Sequence, residues 1–231
     1  AMELTGTYRH EQKYGSCQAD CWALRQRLRP VMRPDPHAGP DGRYVIRSIY
    51  FDNLQDKALW EKLDGVQLRE KFRIRWYNDD LSYITLEKKI KHNDLCMKVG
   101  APLTEQELRR ILRGPEEWMP AHPRELVREL YCKMRWQQLR PRVVVSYVRE
   151  PYVYGPGNVR VTLDSDIRTS LFRQPAPEGA MQDISAADRP QDVILEVKYD
   201  AYLPEIIARL LQTGELRRQS FSKYGACRRY G

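Results

Sequence analysis

Residues 70–77 read EKFRIRWY, that is Glu70-Lys71-Phe72-Arg73-Ile74-Arg75-Trp76-Tyr77. Charge alternates with bulk in strict order. As a strand, the segment sets Lys71, Arg73, Arg75 and Tyr77 on one face and Phe72, Ile74 and Trp76 on the other. The apolar face simply packs on a core. Three cations on the opposite face need an explanation if the strand belongs to a closed structure.

The 231 residues carry a net charge of +8, with 42% hydrophobic and 30% charged residues. That length buries a sizeable core, read here as one domain over 1–231. The composition excludes a disordered chain. No apolar run approaches the roughly 20 residues of a membrane span, and no signal peptide opens the sequence. Residues 1–4, with Ala1-Met2, are expected to be a tag-like start, and the location is expected to be cytoplasmic. Five cysteines, Cys17, Cys21, Cys96, Cys132 and Cys227, form no CxxC pair, which fits free thiols in a reduced compartment. Cys17 and Cys21 have no nearby His to complete a zinc site. The basic balance points either to an anionic partner or to a solvated exterior.

Patterning predicts strands over 5–14, 44–52, 66–77, 83–91, 95–99, 142–149, 158–167 and 192–199. Helices are predicted from a Ser16 cap to about Arg29, over 54–63, after the Thr104–Glu107 capping box to Arg113, over 124–139, and over 204–211. The segment 174–190 is expected to be a mobile loop, and the C-terminal run with Arg217, Arg218, Arg228 and Arg229 a basic tail. About eight strands in hairpin-like succession predict an antiparallel α+β domain curled toward a barrel, with no glycine-rich nucleotide loop.

The period-two rule gives six strands an ionic face. Arg9, Glu11 and Lys13 share one. Lys71, Arg73 and Arg75 share the next, followed by Glu87 with Lys89 and Tyr147 with Arg149. Arg160, Thr162 and Asp164 form another set, and Glu196 joins Lys198. Alternate positions are largely apolar, among them Leu86, Val161, Leu163, Leu195 and Val197. Two arrangements meet this pattern. One is an open sheet with a wet ionic face. The other is a closed barrel with an ionic lumen, which must hold water and a multivalent anion because unpaired buried charge is costly. Arginines would grip phosphate oxygens, and Glu11, Glu87, Asp164 and Glu196 would hold Mg²⁺ or Mn²⁺.

The segments RHEQKY, SIYFDN, EKFRIRWY, LEKK, SYVREPY, VRVTLD, ILEVKY and FSKYGAC follow one another in this order. The set resembles the catalytic domain of the vacuolar transporter chaperone (VTC) family, a polyphosphate polymerase of the CYTH or triphosphate-tunnel superfamily. The resemblance runs from about Tyr8 to Cys227. It implies an antiparallel tunnel with helices packed outside, which moves the terminal phosphoryl group of ATP onto a growing polyphosphate chain with manganese or magnesium. By motif it implies anion-handling roles for Lys13, Arg73, Arg75, Lys89 (or Lys88 in its place), Lys98, Tyr147, Arg149, Arg160, Ser222 and Lys223, and a metal-binding role for Glu196. Arg9, Lys71 and Lys198 join the substrate-binding set, and Glu11, Glu87 and Asp164 the metal set. The broader superfamily's hydrolases and cyclases commonly open with ExExK on the first strand. Here Arg9 replaces the first acid, which fits a polymer-holding enzyme better than a two-metal hydrolase. The family's sensor and membrane modules are missing, so a stand-alone, bacterial-type member is expected.

The partners expected are ATP and inorganic polyphosphate or pyrophosphate, with no stable nucleic acid. A tripolyphosphatase on the same tunnel and a non-catalytic polyphosphate or nucleic-acid binder stay open as alternatives. His10, His37, His92 and His122 are read as surface residues, Trp60, Trp76 and Trp136 as packing residues, Ser146 as an ordinary strand residue, and Asp52 as a rim or turn contact.

Overall fold

The computed structural model describes residues 8–93, 95–170, 184–185, 193–212, 217–218 and 222–228. In chain order the elements are β1 (Arg9–Ser16), α1 (Gln18–Leu28), β2 (Arg33–Pro34), β3 (Tyr44–Asp52), α2 (Lys57–Leu63), β4 (Leu68–Tyr77), β5 (Asp80–His92) and β6 (Leu95–Leu103). They continue with α3 (Glu105–Arg113), α4 (Glu125–Trp136), β7 (Arg140–Tyr154), β8 (Val159–Ser170), β9 (Ile184–Ser185), β10 (Val193–Tyr199), α5 (Glu205–Leu210), β11 (Arg217–Arg218) and α6 (Lys223–Arg228).

Eight strands close into a ring in the order β7–β3–β4–β5–β6–β1–β10–β8, and β8 pairs back onto β7. The ring is an irregular tunnel, because β1 meets β6 over only two rungs, Arg9↔Cys96 and His10↔Leu95. Its hairpins follow from local chemistry. Asn78 and Asp79 adopt the left-handed conformation at the β4–β5 turn, as Asn93 does at the β5–β6 turn, and these residue types tolerate it best.

Two apolar layers lie outside the ring. Phe72, Ile74 and Trp76 of β4 pack with Leu86, Leu103 and Ile49 under Leu108 and Ile111 of α3 and Leu130 and Met134 of α4. On the other flank Val161, Leu163, Leu195 and Val197 pack under Cys21, Leu24 and Leu28 of α1 and Ile207 of α5. The α3 cap forms as its sequence requires: Thr104 Oγ1 accepts from the Glu107 N–H at 3.2 Å, and the Glu107 carboxylate accepts from the Thr104 N–H at 2.7 Å.

Four helices therefore pack outside, as the α+β tunnel reading expects. The sixth does not. α6 lies where a basic tail was expected, and its Tyr224 and Cys227 pack against the inward residues Ile46, Tyr50, Val143, Val145 and Tyr147. The interior is thus partly apolar, with α6 seated on that patch. Ser222 caps it, its Oγ accepting from the Gly225 N–H at 3.2 Å, and Arg228 pairs with Asp56.

Other boundaries differ for local reasons. β1 runs on to Ser16, so Cys17 rather than Ser16 stands at the α1 N-cap. α2 begins at Lys57, after Asp56 in the left-handed conformation. β6 and β7 extend to Leu103 and Tyr154 to complete the ring. Of the loop expected over 174–190, only 184–185 fall among the described residues. Trp76 is buried as expected, whereas Trp60 and Trp136 are 56% and 84% exposed. His122 is buried rather than on the surface, its Nε2 lying 2.8 Å from the Glu107 carboxylate.

Leu130→Ala should cost about 3 kcal/mol in urea unfolding, because this fully buried α4 side chain leaves a cavity over β4 and β5.

Candidate functional site

The ring register decides which charges meet. Residues opposite one another across a ladder point to the same side. Arg73 faces Glu87, Arg149 faces Asp164, Lys13 faces Glu196 and Lys198 faces Glu11. These rungs put opposite charges together inside the ring, around a cavity of about 500 Å³. Eleven lysines and arginines line it among the described residues, against two carboxylates, Glu11 and Glu196.

Glu87 is nearly sealed. Its carboxylate accepts from Arg73 Nε at 2.6 Å and from Lys98 Nζ at 2.9 Å, with Arg75 at 3.8 Å. Burial pushes its pKa up, but these three cations hold it well below the usual carboxylate range. Asp164, fully buried, accepts both arms of Arg149 at 2.7 Å and Lys223 Nζ at 2.6 Å. It too is held low, by Arg149 and then Lys223 against its burial. Both guanidiniums are thereby fixed in orientation. Arg75 is steadied differently, by Tyr147 Oη at 3.3 Å and Ser48 Oγ at 3.4 Å.

Glu11 and Glu196 stand at the cavity wall on the paired strands β1 and β10, with Lys13 Nζ 3.2 and 3.6 Å from them. Lys89 reaches Glu11 at 2.7 Å, and Lys198 reaches Glu196 at 2.6 Å. Burial raises both carboxyls, but their lysines hold them ionised. No group of three His, Cys, Asp or Glu side chains forms a metal cluster among the described residues. Two ionised carboxylates are instead a donor set that suits a hard divalent cation completing its shell with phosphate and water.

The structure thus gathers twelve of the residues read from the sequence at one cavity: Lys13, Lys71, Arg73, Arg75, Lys89, Tyr147, Arg149, Lys198, Ser222 and Lys223, with Glu11 and Glu196. Glu87 and Asp164 lie behind the wall, engaged by cations. Three expected contacts lie off it. Arg9 pairs with Asp200 at 2.7 Å, and Arg160 pairs with Asp35 at 2.5 Å while donating to Tyr44 Oη. Lys98 reaches Glu87 with its side chain half in solvent. The alignment between Lys88 and Lys89 resolves cleanly, because Lys88 turns outward to Glu129 of α4 at 2.6 Å.

Sequence reading missed Tyr50, Lys62, Arg69, Lys91 and Tyr224. Arg69 and Lys91 continue the parities of β4 and β5 and were legible. Lys62 and Tyr224 come from helices, where no strand rule applies. Asp52 proves to be a structural tie: its carboxylate accepts from the Ala58 N–H at 2.9 Å and from Tyr224 Oη at 2.5 Å, joining β3 to α2 and α6.

A profile of the VTC domain matches residues 8–230. The chain belongs to the VTC domain family. This VTC domain is 28% identical over 185 residues to vacuolar transporter chaperone complex subunit 4 of Schizosaccharomyces pombe. The match covers 71% of this chain and a quarter of the relative's length. Among solved structures it resembles a Bacillus halodurans protein carrying an adenylate-cyclase designation, with TM-score 0.51 and 16% identity over 84% of this chain and 81% of that one. A Hippeastrum protein designated an adenylyl cyclase and described by a dominant triphosphatase activity gives TM-score 0.50 and 14% identity, over 88% and 84%. These likenesses show the triphosphate-tunnel fold of the VTC domain. No helix among its described residues is long and apolar enough to cross a membrane.

Lys89→Met should weaken tripolyphosphate binding measured by calorimetry, whereas Lys88→Met should lower only the melting temperature. The reverse would place the wrong lysine inside. Lys71 supplies a pH signature. Burial, then Arg69, with Lys13 and Lys89 behind it and Asp52 opposing, pushes its pKa down to about 7, and its Nζ rests 4.9 Å from the Tyr224 ring centre. It is charged below that pH and neutral above it. Tripolyphosphate affinity should therefore fall as pH rises from 7 to 8, by up to about fivefold. Lys71→Arg, which stays charged, should flatten that part of the profile.

Proposed function

We propose that this VTC domain is a metal-dependent polyphosphate polymerase that transfers the terminal phosphoryl group of ATP to the end of an inorganic polyphosphate chain. The cationic lumen carries the reading. A ring that seals Glu87 and Asp164 behind guanidiniums and still presents a large excess of cations to a 500 Å³ cavity is built for a multivalent anion. Family membership and the Schizosaccharomyces pombe relative support phosphate chemistry of this kind.

Arg73, Arg75 and Arg149 bind the donor's phosphate oxygens, with Lys223 and Tyr147 beside Arg149 and Ser222 next to Lys223. Lys13, Lys89 and Lys198 share their charge between Glu11, Glu196 and phosphate. Glu11 and Glu196 would hold Mn²⁺ or Mg²⁺, which when bound neutralises phosphate charge. A terminal oxygen of the acceptor chain attacks the donor's γ-phosphorus in line. The new P–O bond forms as the bond to the β–γ bridging oxygen breaks, and ADP leaves. The attacking oxygen is already anionic, so no general base is required; aligned charge is the main contribution in a loose transition state. The single lumenal acid of β1, Glu11, favours this reading over a two-metal hydrolase.

Incubation with ATP and Mn²⁺ or Mg²⁺, resolved on a gel, should yield long chains together with ADP. Orthophosphate without polymer would identify a hydrolase, and no turnover despite tight anion binding a binder. Arg73→Lys keeps a cation beside Glu87 but loses the bidentate fork, and should slow polymer formation about 100-fold, as should Glu196→Gln. Full activity in either variant would remove that residue from the site.

A further inference from the structure

Tyr50, Tyr147 and Tyr224 line the cavity, and their hydroxyls are engaged differently. Tyr224 donates its proton to the Asp52 carboxylate at 2.5 Å. Tyr147 accepts from Arg75 at 3.3 Å and carries the Arg149 and Lys223 cations over its ring. Tyr50 has no part in the phosphate handling described above, although β3 turns it inward directly opposite Arg73.

The Tyr50 oxygen accepts from Arg73 Nη1 at 3.0 Å. A phenol also carries one hydrogen to donate, and no acceptor takes it among the described residues. The side chain is held in place: it is buried, and its ring lies 5.4 Å from the Tyr224 ring. Charges converge on it from several elements. Burial pushes the phenol pKa up, but Arg73 and Arg75 of β4, and then Lys223 of α6, bring it below its ordinary value. The phenol in turn bears on Lys13 of β1. Val143, its neighbour on β7, is uncharged. Lys13 stands beside Glu11 and Glu196, so the hydroxyl sits where the arginine pair meets the carboxylate wall.

A donor γ-phosphoryl group gripped by Arg73 and Arg75, and shared with a cation on Glu11 and Glu196, occupies that meeting point. We propose that the Tyr50 hydroxyl is a catalytic hydrogen-bond donor to an oxygen of the phosphoryl group in transit. The inference rests on reading the cavity as a phosphoryl-transfer site, and it holds whichever acceptor, chain end or water, takes the group. The lysines and arginines attract phosphate at every stage. A hydroxyl bond is directional, so it discriminates the geometry of the transition state from that of bound ATP and raises kcat more than it lowers KM. The phenol keeps its proton throughout, because the attacking oxygen and the departing ADP are both anionic.

The test follows ADP release from ATP and Mg²⁺ by the whole chain, comparing the wild type, Tyr50→Phe, and protein with fluorotyrosine in place of Tyr50. Phenylalanine keeps the ring against Tyr224 and leaves Arg73 on Glu87. The Phe variant should lose about 100-fold in kcat, with KM for ATP and tripolyphosphate affinity within about threefold. Plotted against pH, kcat/KM should show the Lys71 limb near 7 in all three proteins. A second alkaline limb, where the phenol ionises and stops donating, should appear in the wild type, move to lower pH with fluorotyrosine and vanish with Phe. A tyrosine that only steadied Arg73 would not shift that limb. Wild-type kcat in Tyr50→Phe, or a second limb indifferent to both replacements, would overturn the proposal. Orthophosphate without polymer from the wild type would remove the polymerase reading alone, since ADP release still measures what Tyr50 contributes. Polymer made by Tyr50→Phe at the wild-type rate would sink this inference and leave that reading intact.

Discussion

The cross-strand pairing of a guanidinium with a carboxylate inside the ring, Arg73 with Glu87 and Arg149 with Asp164, is the constraint on which the interior depends. A charge moved from water into a protein costs several kcal/mol unless it is met by an opposite charge in good geometry. The register supplies that geometry, because antiparallel strands put the partners directly opposite each other. A one-residue slip of either ladder would turn every ionic side chain of that strand into the apolar layers under α1, α3, α4 and α5. Charge pairing within and hydrophobic burial without thus specify the same register.

Compensation is deliberately incomplete. Glu87 and Asp164 engage their own neighbours and hold Arg73 and Arg149 rigid, while the rest of the lining keeps its cationic excess. A rigid guanidinium presents its remaining donors to phosphate without further ordering, which is the preorganisation that phosphoryl transfer rewards. α6 completes the wall from inside the ring. Its Tyr224 and Cys227 sit on the apolar inner patch of β3 and β7, and the same helix delivers Lys223 to Asp164. An apolar contact therefore positions a charged one.

Legibility followed periodicity. The strand rule placed Lys13, Arg73, Arg75, Lys89, Arg149, Glu196 and Lys198 on one inner surface, because side-chain direction in a strand is set by parity alone. It also reached Arg9 and Arg160, whose parity is right but whose position along the strand carries them to Asp200 and Asp35 instead of the cavity. Parity says which side a residue faces, not how far along the ring it sits. α6 escaped because six residues with Gly225 at their centre show neither helical period nor strong propensity, leaving only the Ser222 cap as a signal. The exposed Trp60 and Trp136 were placed in packing on side-chain size alone.

The alternation of EKFRIRWY and its counterparts determined an antiparallel sheet with one ionic and one apolar face, since a period of two leaves no other reading. Whether the ionic face enclosed a cavity or met open water was decided only in three dimensions, by β8 returning to β7 and β1 touching β6 over two rungs. Tertiary structure also chose Lys89 over Lys88 and brought Lys62 and Lys223 in from helices. Those choices depend on contacts between segments far apart in the chain, which no local pattern encodes.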